Sequence, residues 1–327
     1  MPPLTFSPLV KQIRWGGRRL GTVLGKPIGD SDDYAESWEV VDHGDDQSVV
    51  AGGPHAGRTL SEVVRTAGED LFGPGKRRDQ FPLLIKFLDA SDRLSVQVHP
   101  DDALAKRHNP SELGKTEAWV ILDATPDAKL WCGLEPGVEE ADVRRSLADD
   151  SMEDVLHAVH VKAGDCVFIP AGTVHAIGEG VLLAEVQQSS DLTFRYYDWG
   201  RVGADGQPRQ LHIEESIEAT DFSRGPVEPV DPRSIDAPIE GQTREHLVLC
   251  EFFELTRRQA PAAFDFPDDG QLRVVMTMGG TGTLIADGID DVPLKTGQTV
   301  LLPAVRPPVR IEVDEPLTLL ETTLVSE

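Results

Sequence analysis

Gly164-Asp165-Cys166-Val167-Phe168-Ile169-Pro170-Ala171-Gly172-Thr173-Val174-His175 is the stretch on which the reading of this chain turns. A Gly-Asp pair opens it and four apolar residues follow, so Cys166 to Ile169 is predicted to form a short buried strand. Pro170-Ala171-Gly172 then predicts a tight turn. Proline fixes its own φ and glycine admits left-handed backbone, so the turn sets the direction in which the next strand begins. His175 stands at that beginning, and the turn therefore aims its side chain.

Outward from this run, strand signals dominate. Leu83 to Leu88, Leu94 to Val98, Ala118 to Leu122, Leu182 to Val186, Val274 to Met278 and Thr299 to Leu302 are short β-branched and apolar runs. Clusters of Gly, Pro and Asp separate them, as in an antiparallel sandwich or barrel. Two helical patterns interrupt the series. Thr59 to Gly68 opens with a capping-box arrangement, Thr59 and Glu62. Val138 to Val159 is acid-rich with apolar residues at helical spacing. Both look inserted into a β architecture rather than alternating with its strands. From Ser223 to Gly241 the chain carries Pro226, Pro229, Pro232 and Pro238 with little apolar content. That marks a boundary, and the expected organisation is two β units, residues 1–240 with the helices and residues 241–327 without them.

Parity along the strands brings polar residues together. In Gln97-Val98-His99 the first and third side chains share a face, and the same holds for Lys115 and Glu117. Taken singly these have ordinary readings: a lone strand histidine is more often structural, and a Lys–Glu pair at a strand entrance is more often solvated. A glutamine on the same inward face as the histidine weakens the ordinary reading, because a buried amide needs partners.

Composition narrows the function. Hydrophobic residues make up 39% and charged residues 27%, as in a soluble globular protein. No apolar run reaches the roughly 18 residues of a membrane span. Met1-Pro2-Pro3-Leu4 lacks the basic and apolar regions of a secretory signal, so a cytoplasmic location is expected. The net charge of −25 argues against nucleic acid or an anionic membrane surface as partner. It leaves a phosphorylated substrate open, since exposed charges are screened beyond about 10 Å and a basic cleft can act locally. Cys132, Cys166 and Cys250 are far apart in sequence, which excludes a thiolate zinc ribbon and a C-x-x-C redox pair.

The spacing of Gly164, Pro170, Gly172 and His175 resembles the second motif of cupin barrels. In the place of the first motif stands Gln97-x-His99, with Glu117 following after a longer insertion than cupins usually carry. Gln-x-His-Pro from Gln97, Gly114-Lys115-Thr116-Glu117 and Ile169-Pro170-Ala171-Gly172-Thr173-Val174-His175 together resemble type I mannose-6-phosphate isomerase, in particular its short bacterial class. Trp15-Gly16-Gly17, Glu36-Ser37-Trp38-Glu39 and Ser190 to Asp198 extend the likeness over nearly the whole chain. The resemblance implies two cupin-type antiparallel β-barrels of jelly-roll form, the first with helical insertions. It implies zinc held by Gln97, His99, Glu117 and His175, one ion per chain, with other divalent metals open, and Lys115 and Arg195 as active-site residues. Two imidazoles, a carboxylate and an amide oxygen suit zinc and similar divalent ions.

In the second unit Gly297 to Pro303 repeats the Gly-to-Pro spacing of Gly164 to Pro170. Pro308 stands where His175 would fall, and no histidine occurs after His246. The second unit is therefore expected to lack a metal site and to serve packing or the edge of the cleft.

The implied reaction interconverts mannose 6-phosphate and fructose 6-phosphate, with a sugar phosphate as partner and a monomer or homodimer as assembly. It needs a base next to a carbonyl and stabilisation of an enediolate oxygen. Lys115 and a metal-bound water rank ahead of Glu185 as the base, and Arg195, Arg201 and Lys86 stand open for the phosphate. Trp15 and Trp38 are candidates to stack on the sugar or to pack. Three rivals remain: a cupin acting on another sugar, a sugar-binding cupin without catalysis, and an iron-dependent cupin dioxygenase. Gln97 as fourth ligand and the neighbouring Lys115 count against the dioxygenase.

Overall fold

A computed structural model describes residues 1–202, 206–235 and 241–325. The expected mainly-β, antiparallel architecture is what the chain adopts, and every helix among the described residues lies in the first unit. That unit is built on two sheets. One holds β1 (Leu9–Gly17), β2 (Tyr34–Val40), β3 (Leu83–Ala90), β5 (Glu117–Ala124), β8 (Cys166–Ile169) and β10 (Val181–Gln188), in the order β8-β5-β10-β3-β2-β1. The other holds β4 (Val96–Val98), β6 (Lys129–Leu134), β7 (Leu156–His160), β9 (His175–Ile177) and β11 (Phe194–Tyr197), in the order β7-β6-β9-β4-β11.

Strand parity sorts the side chains into layers. Along β3 every residue is buried, which explains its continuous apolar run. Leu83, Ile85 and Phe87 face outward, into a core shared with helix α1 (Leu60–Phe72). Leu88 and Ala90 face inward with Trp119, Val167 and Leu183, and against Leu130, Cys132 and Ile177 of the second sheet. The second sheet's outer face, with Val96, Trp131 and Tyr196, is covered by α2 (Asp102–His108) and α3 (Glu140–Ala148), through Leu104 and Val143. Each fully buried side chain of Leu or Phe size contributes roughly 1.5–3 kcal/mol. Lys86 shares the inward parity, and around it the layer between the sheets turns polar.

The capping box at α1 is present: Thr59 Oγ1 accepts from the Glu62 backbone N–H, and Glu62 accepts from that of Thr59. The helix runs on to Phe72, four residues past the expected end, through a kink at Ala67. The helix expected over Val138 to Val159 is corrected. Only Glu140–Ala148 is α-helical, and β7 begins at Leu156 after a 3-10 turn, Met152–Val155. Asp150 adopts φ +54, a conformation Asp tolerates better than most residues and one that stops a helix. Helices α2 and α4 (Ile213–Ala219), and a short helix over Arg19–Thr22, were not read from sequence.

The expected boundary at 240 falls on residues 236–240, outside the described residues. Before it, the Pro-rich stretch is pinned to the first unit, since Val227 N–H donates to Cys132 O and Val230 N–H to Cys166 O. After it, β12 (Thr243–Leu249), β13 (Phe253–Ala260), β14 (Arg273–Ala286), β15 (Val292–Lys295), β16 (Thr299–Leu302) and β17 (Val309–Leu324) form one antiparallel sheet. Its two long strands, β14 and β17, pair with register shifts that bend them around a core of its own, including Phe264, Val300 and Leu319. Phe253, Val274, Leu301 and Leu320 join instead the core that holds Phe87 and α1, so the two units share a hydrophobic layer. Leu4 crosses to the second unit and pairs with Leu301 through two backbone hydrogen bonds.

Candidate metal centre and its cleft

His99, Glu117 and His175 converge between the two sheets, buried, with their ligand atoms all within 4.8 Å of one another. Three local arrangements bring them there. Gly172, at φ +88, makes the turn that aims His175, and its N–H donates to the His99 carbonyl at 2.9 Å, tying two of the three residues together. In the second sheet Gln97 lies across from His175 on one side and from Arg195 on the other, a ladder of three side chains on one face. In the first sheet Glu117 opens β5 opposite Ile169, the last strand residue before the turn.

The imidazoles are set for a cation. His175 Nδ1 lies 2.9 Å from Thr173 O, and His99 Nδ1 lies 3.0 Å from Leu192 O. A carbonyl only accepts, so both rings carry their proton on Nδ1 and turn the Nε2 lone pair inward. Glu117 spans the gap, at 3.6 Å from His99 Nε2 and 3.4 Å from His175 Nε2. Burial, reinforced by the cation of Lys115, holds the His99 pKa well below the usual imidazole range and pushes that of His175 down to about 4. Neutral imidazoles are the form that ligates metal. Burial pushes the Glu117 carboxyl up to about 7 against the pull of Lys115. The Gln97 amide nitrogen is 3.3 Å from His175 Nε2, and rotation of that amide presents its oxygen instead.

Basic residues close the centre. The Lys115 ammonium lies 3.0 Å from His99 Nε2, is paired with Glu117, and is 3.5 Å from Glu185. Glu185, placed only by parity in the sequence, is a buried member of the site, 3.2 Å from Lys86. Burial opposes its ionisation, but Lys86 and Lys115 more than offset this and hold its pKa below the ordinary value. Lys86 also pairs with Glu36 at 3.2 Å, and despite burial these carboxylates hold it protonated.

A cavity of about 400 Å³ opens onto these residues, lined by Gln97, Lys115, Glu117, Glu185, Arg195 and Arg209 among others. Trp15 lines its apolar side, whereas Trp38 lies outside the lining, beneath the ammonium of Lys11 at 4.6 Å. Of the three residues open for phosphate, Arg195 is on the wall, and Lys86 is enclosed by carboxylates. Arg201 is turned away, bound to Asp198 at 2.6 Å and Asp92 at 3.1 Å. Arg209 and His212 line the cavity and escaped the sequence reading, because they follow a loop with no periodic pattern to give them a direction.

Residues 4–128 match the family model described as phosphomannose isomerase type I, catalytic domain. The chain is 37% identical to the mannose-6-phosphate isomerase ManA of Bacillus subtilis over 301 residues, 92% of this chain and 93% of that one. The chain belongs to the type I phosphomannose isomerase family. Its fold agrees: the crystal structure of the mannose 6-phosphate isomerase from Bacillus subtilis superposes with a TM-score of 0.90 at 31% identity, covering 98% of this chain and 99% of that one. A mannose 6-phosphate isomerase bound with zinc and yttrium shares the fold at a TM-score of 0.74 and 15% identity, over the full length of both chains. Membership in this isomerase family matches the fold and function that the quoted motifs imply.

Proposed function

We propose that this protein is a mannose-6-phosphate isomerase, interconverting mannose 6-phosphate and fructose 6-phosphate in the cleft at His99, Glu117 and His175. The observation that carries the reading is Lys115, whose ammonium sits against His99, Glu117 and Glu185 at the bottom of the cavity. A binding module has no use for a buried cation pressed against a metal position. A proton-transfer enzyme does.

His99, Glu117 and His175, with the oxygen of Gln97, would hold one zinc ion. The fit rests on the donor set, two neutral imidazoles with inward Nε2, a carboxylate and an amide, and on the zinc-bound relative of the same fold. The ion, when bound, supplies electrostatic stabilisation for negative charge on the sugar's C1 and C2 oxygens.

The rest is done by the chain. Lys115 is the proton carrier: in its neutral form the amine takes the proton from C2 and returns it to C1, and the ionised Glu185 accepts from its nitrogen and holds it in place. Lys86 keeps the charge of Glu185 balanced through the cycle. Arg195, held by Ser95 Oγ at 3.1 Å and Gln210 O at 3.1 Å, presents its guanidinium to the anionic substrate. Trp15 and the apolar wall exclude water from the reacting carbons. In this reading the first unit, residues 1–240, is catalytic and the second, residues 241–327, supports it. The setting is cytoplasmic, where sugar phosphates occur and unpaired thiols such as Cys132 and Cys166 persist.

The test is a coupled assay of zinc-loaded enzyme with fructose 6-phosphate, with glucose 6-phosphate and unphosphorylated mannose as controls. Formation of mannose 6-phosphate that stops on chelation and returns with zinc is expected. No mannose 6-phosphate from fully metal-loaded protein would sink the assignment.

A further inference from the structure

The cavity wall beside Gln97 carries more positive charge than the acidic chain as a whole would suggest. Arg195 and Arg209 both line it. Behind them a single oxygen of the buried Asp198 serves two guanidiniums, Arg201 at 2.6 Å and Arg209 at 3.8 Å, while Asp92 is shared by Arg201 and Arg14. Three arginines thus share two aspartates, and Arg195 stands beside them on the wall. Arg201 absorbs most of the carboxylate contact, and Arg195 and Arg209 are left with surplus charge on the wall. The field is felt locally: burial first, then the cation of Arg209, lowers the Arg195 pKa.

The segment that carries Arg209 is anchored at both ends. At its start Trp199 adopts φ +57, unusual for a bulky residue, and its indole N–H donates to Leu94 O at 2.6 Å. The guanidinium of Arg93 lies 4.1 Å above that ring, and Trp131 packs 4.8 Å away. At its end His212 N–H donates to Arg195 O at 2.8 Å, and Arg195 Nη1 donates to Gln210 O. Arg209 therefore follows Arg195 rather than drifting with solvent. Its side chain remains about one-third exposed, enough to reach a ligand in the cavity.

We propose that Arg209, carried beside Arg195 on this anchored segment and held by Asp198, recognises the phosphate of the substrate and sets the preference for phosphorylated over neutral sugars. The proposal rests on the isomerase reading, which places the reacting end of the sugar at Lys115 and leaves its phosphate to these arginines. Two forked guanidiniums match a phosphate dianion in charge and geometry, and neither a hydroxymethyl group nor a neutral sugar recruits them. Asp198 is a positioning residue, because it acts through Arg209.

The test compares wild type, Arg209→Gln, Arg209→Lys and Asp198→Asn, all zinc-loaded. It uses mannose 6-phosphate as substrate and sorbitol 6-phosphate as a non-reacting phosphorylated probe. For Arg209→Gln the KM for mannose 6-phosphate and the dissociation constant of sorbitol 6-phosphate by calorimetry are expected to rise together about 10- to 100-fold. kcat should change less than about threefold, with zinc content and thermal midpoint unchanged. Arg209→Lys recovers part of the loss, and Asp198→Asn raises KM by a smaller factor with kcat preserved. KM and probe affinity within twofold of wild type in Arg209→Gln, or a fall in kcat without a rise in KM, would overturn the proposal. Calorimetry with sorbitol 6-phosphate needs no turnover, so a wild type that binds the probe but does not isomerise would defeat the isomerase reading and leave the role of Arg209 still measurable.

Discussion

Strands Cys166–Ile169 and Thr299–Leu302 are built alike, and their surroundings diverge residue by residue. Each follows a glycine at φ near +90, Gly164 and Gly297, and each ends at a proline. Ile169 faces Glu117 across the ladder, and Leu302 faces Arg273. One strand further on, Trp119 faces Glu185, and Val275 faces Glu321. The same framework therefore holds a buried glutamate twice. Glu185 has two lysines, Lys86 and Lys115, near a cavity. Glu321 has arginines instead, Arg258 at 2.6 Å and Arg273 at 3.9 Å, and Arg273 is paired with Asp269 as well. With Arg273 in the place of the proposed ligand Glu117 and Pro308 in that of His175, the second unit has turned the same interior into an ion cluster. Among the described residues, the only trio of potential ligands is in the first. The chemistry belongs to the side chains and not to the fold that repeats.

That contrast can be broken most forcefully at the ligands. His175→Ala should release zinc, measured by elemental analysis, and with it several kcal/mol of transition-state stabilisation, a loss of roughly 10⁴-fold in kcat/KM. Arg273→Met at the counterpart of Glu117 should leave zinc stoichiometry and kcat unchanged. Metal loss there would mean the halves are not divided as described. Lys115→Met should keep the metal yet lower kcat by about 10²- to 10³-fold, the range of one proton-transferring group, as read in the coupled assay. Arg273→Met should instead cost about 3 kcal/mol in urea denaturation, because it leaves Glu321 buried beside one fewer cation. The smallest effect lies in the paired glycines. Both Gly164→Ala and Gly297→Ala meet the same backbone strain, but a Cβ at Gly297 would stand 2.5 Å from Leu24 O, whereas at Gly164 the nearest atom is an Arg257 nitrogen 3.6 Å away. Gly297→Ala should therefore be the less stable of the two by about 1 kcal/mol or more; equal midpoints would show that Leu24 yields.

Much of this was written in local sequence. Period-two alternation placed Gln97 with His99 and Lys115 with Glu117, and the Pro-Ala-Gly turn aimed His175, because those geometries depend on a few neighbouring residues. Glu185 was reachable by parity alone, and its role emerged only from Lys86 and Lys115 on other strands. Arg209 was not legible, since its direction is set by Asp198 and by an anchored loop without periodicity. Arg201, one of the three residues the sequence left open for the phosphate, is instead bound to two aspartates. The long helix expected at Val138 to Val159 failed because a helical spacing of apolar residues continued past Asp150, where the backbone turns left-handed and the chain re-enters a sheet.

The pairing of Leu4 with Leu301 sets a timetable. During synthesis at roughly 5–20 residues per second, the second-unit partner of Leu4 leaves the ribosome some 15–60 s after Leu4 does. The layer holding Leu4, Phe87 and Leu320 stays open for that interval, and contacts of such long sequence separation form slowly even afterwards. Leu4 is thus among the first residues made and the last to settle, so a chain arrested before the second unit would expose the outer face of the first unit's six-stranded sheet as a sticky, unfinished surface.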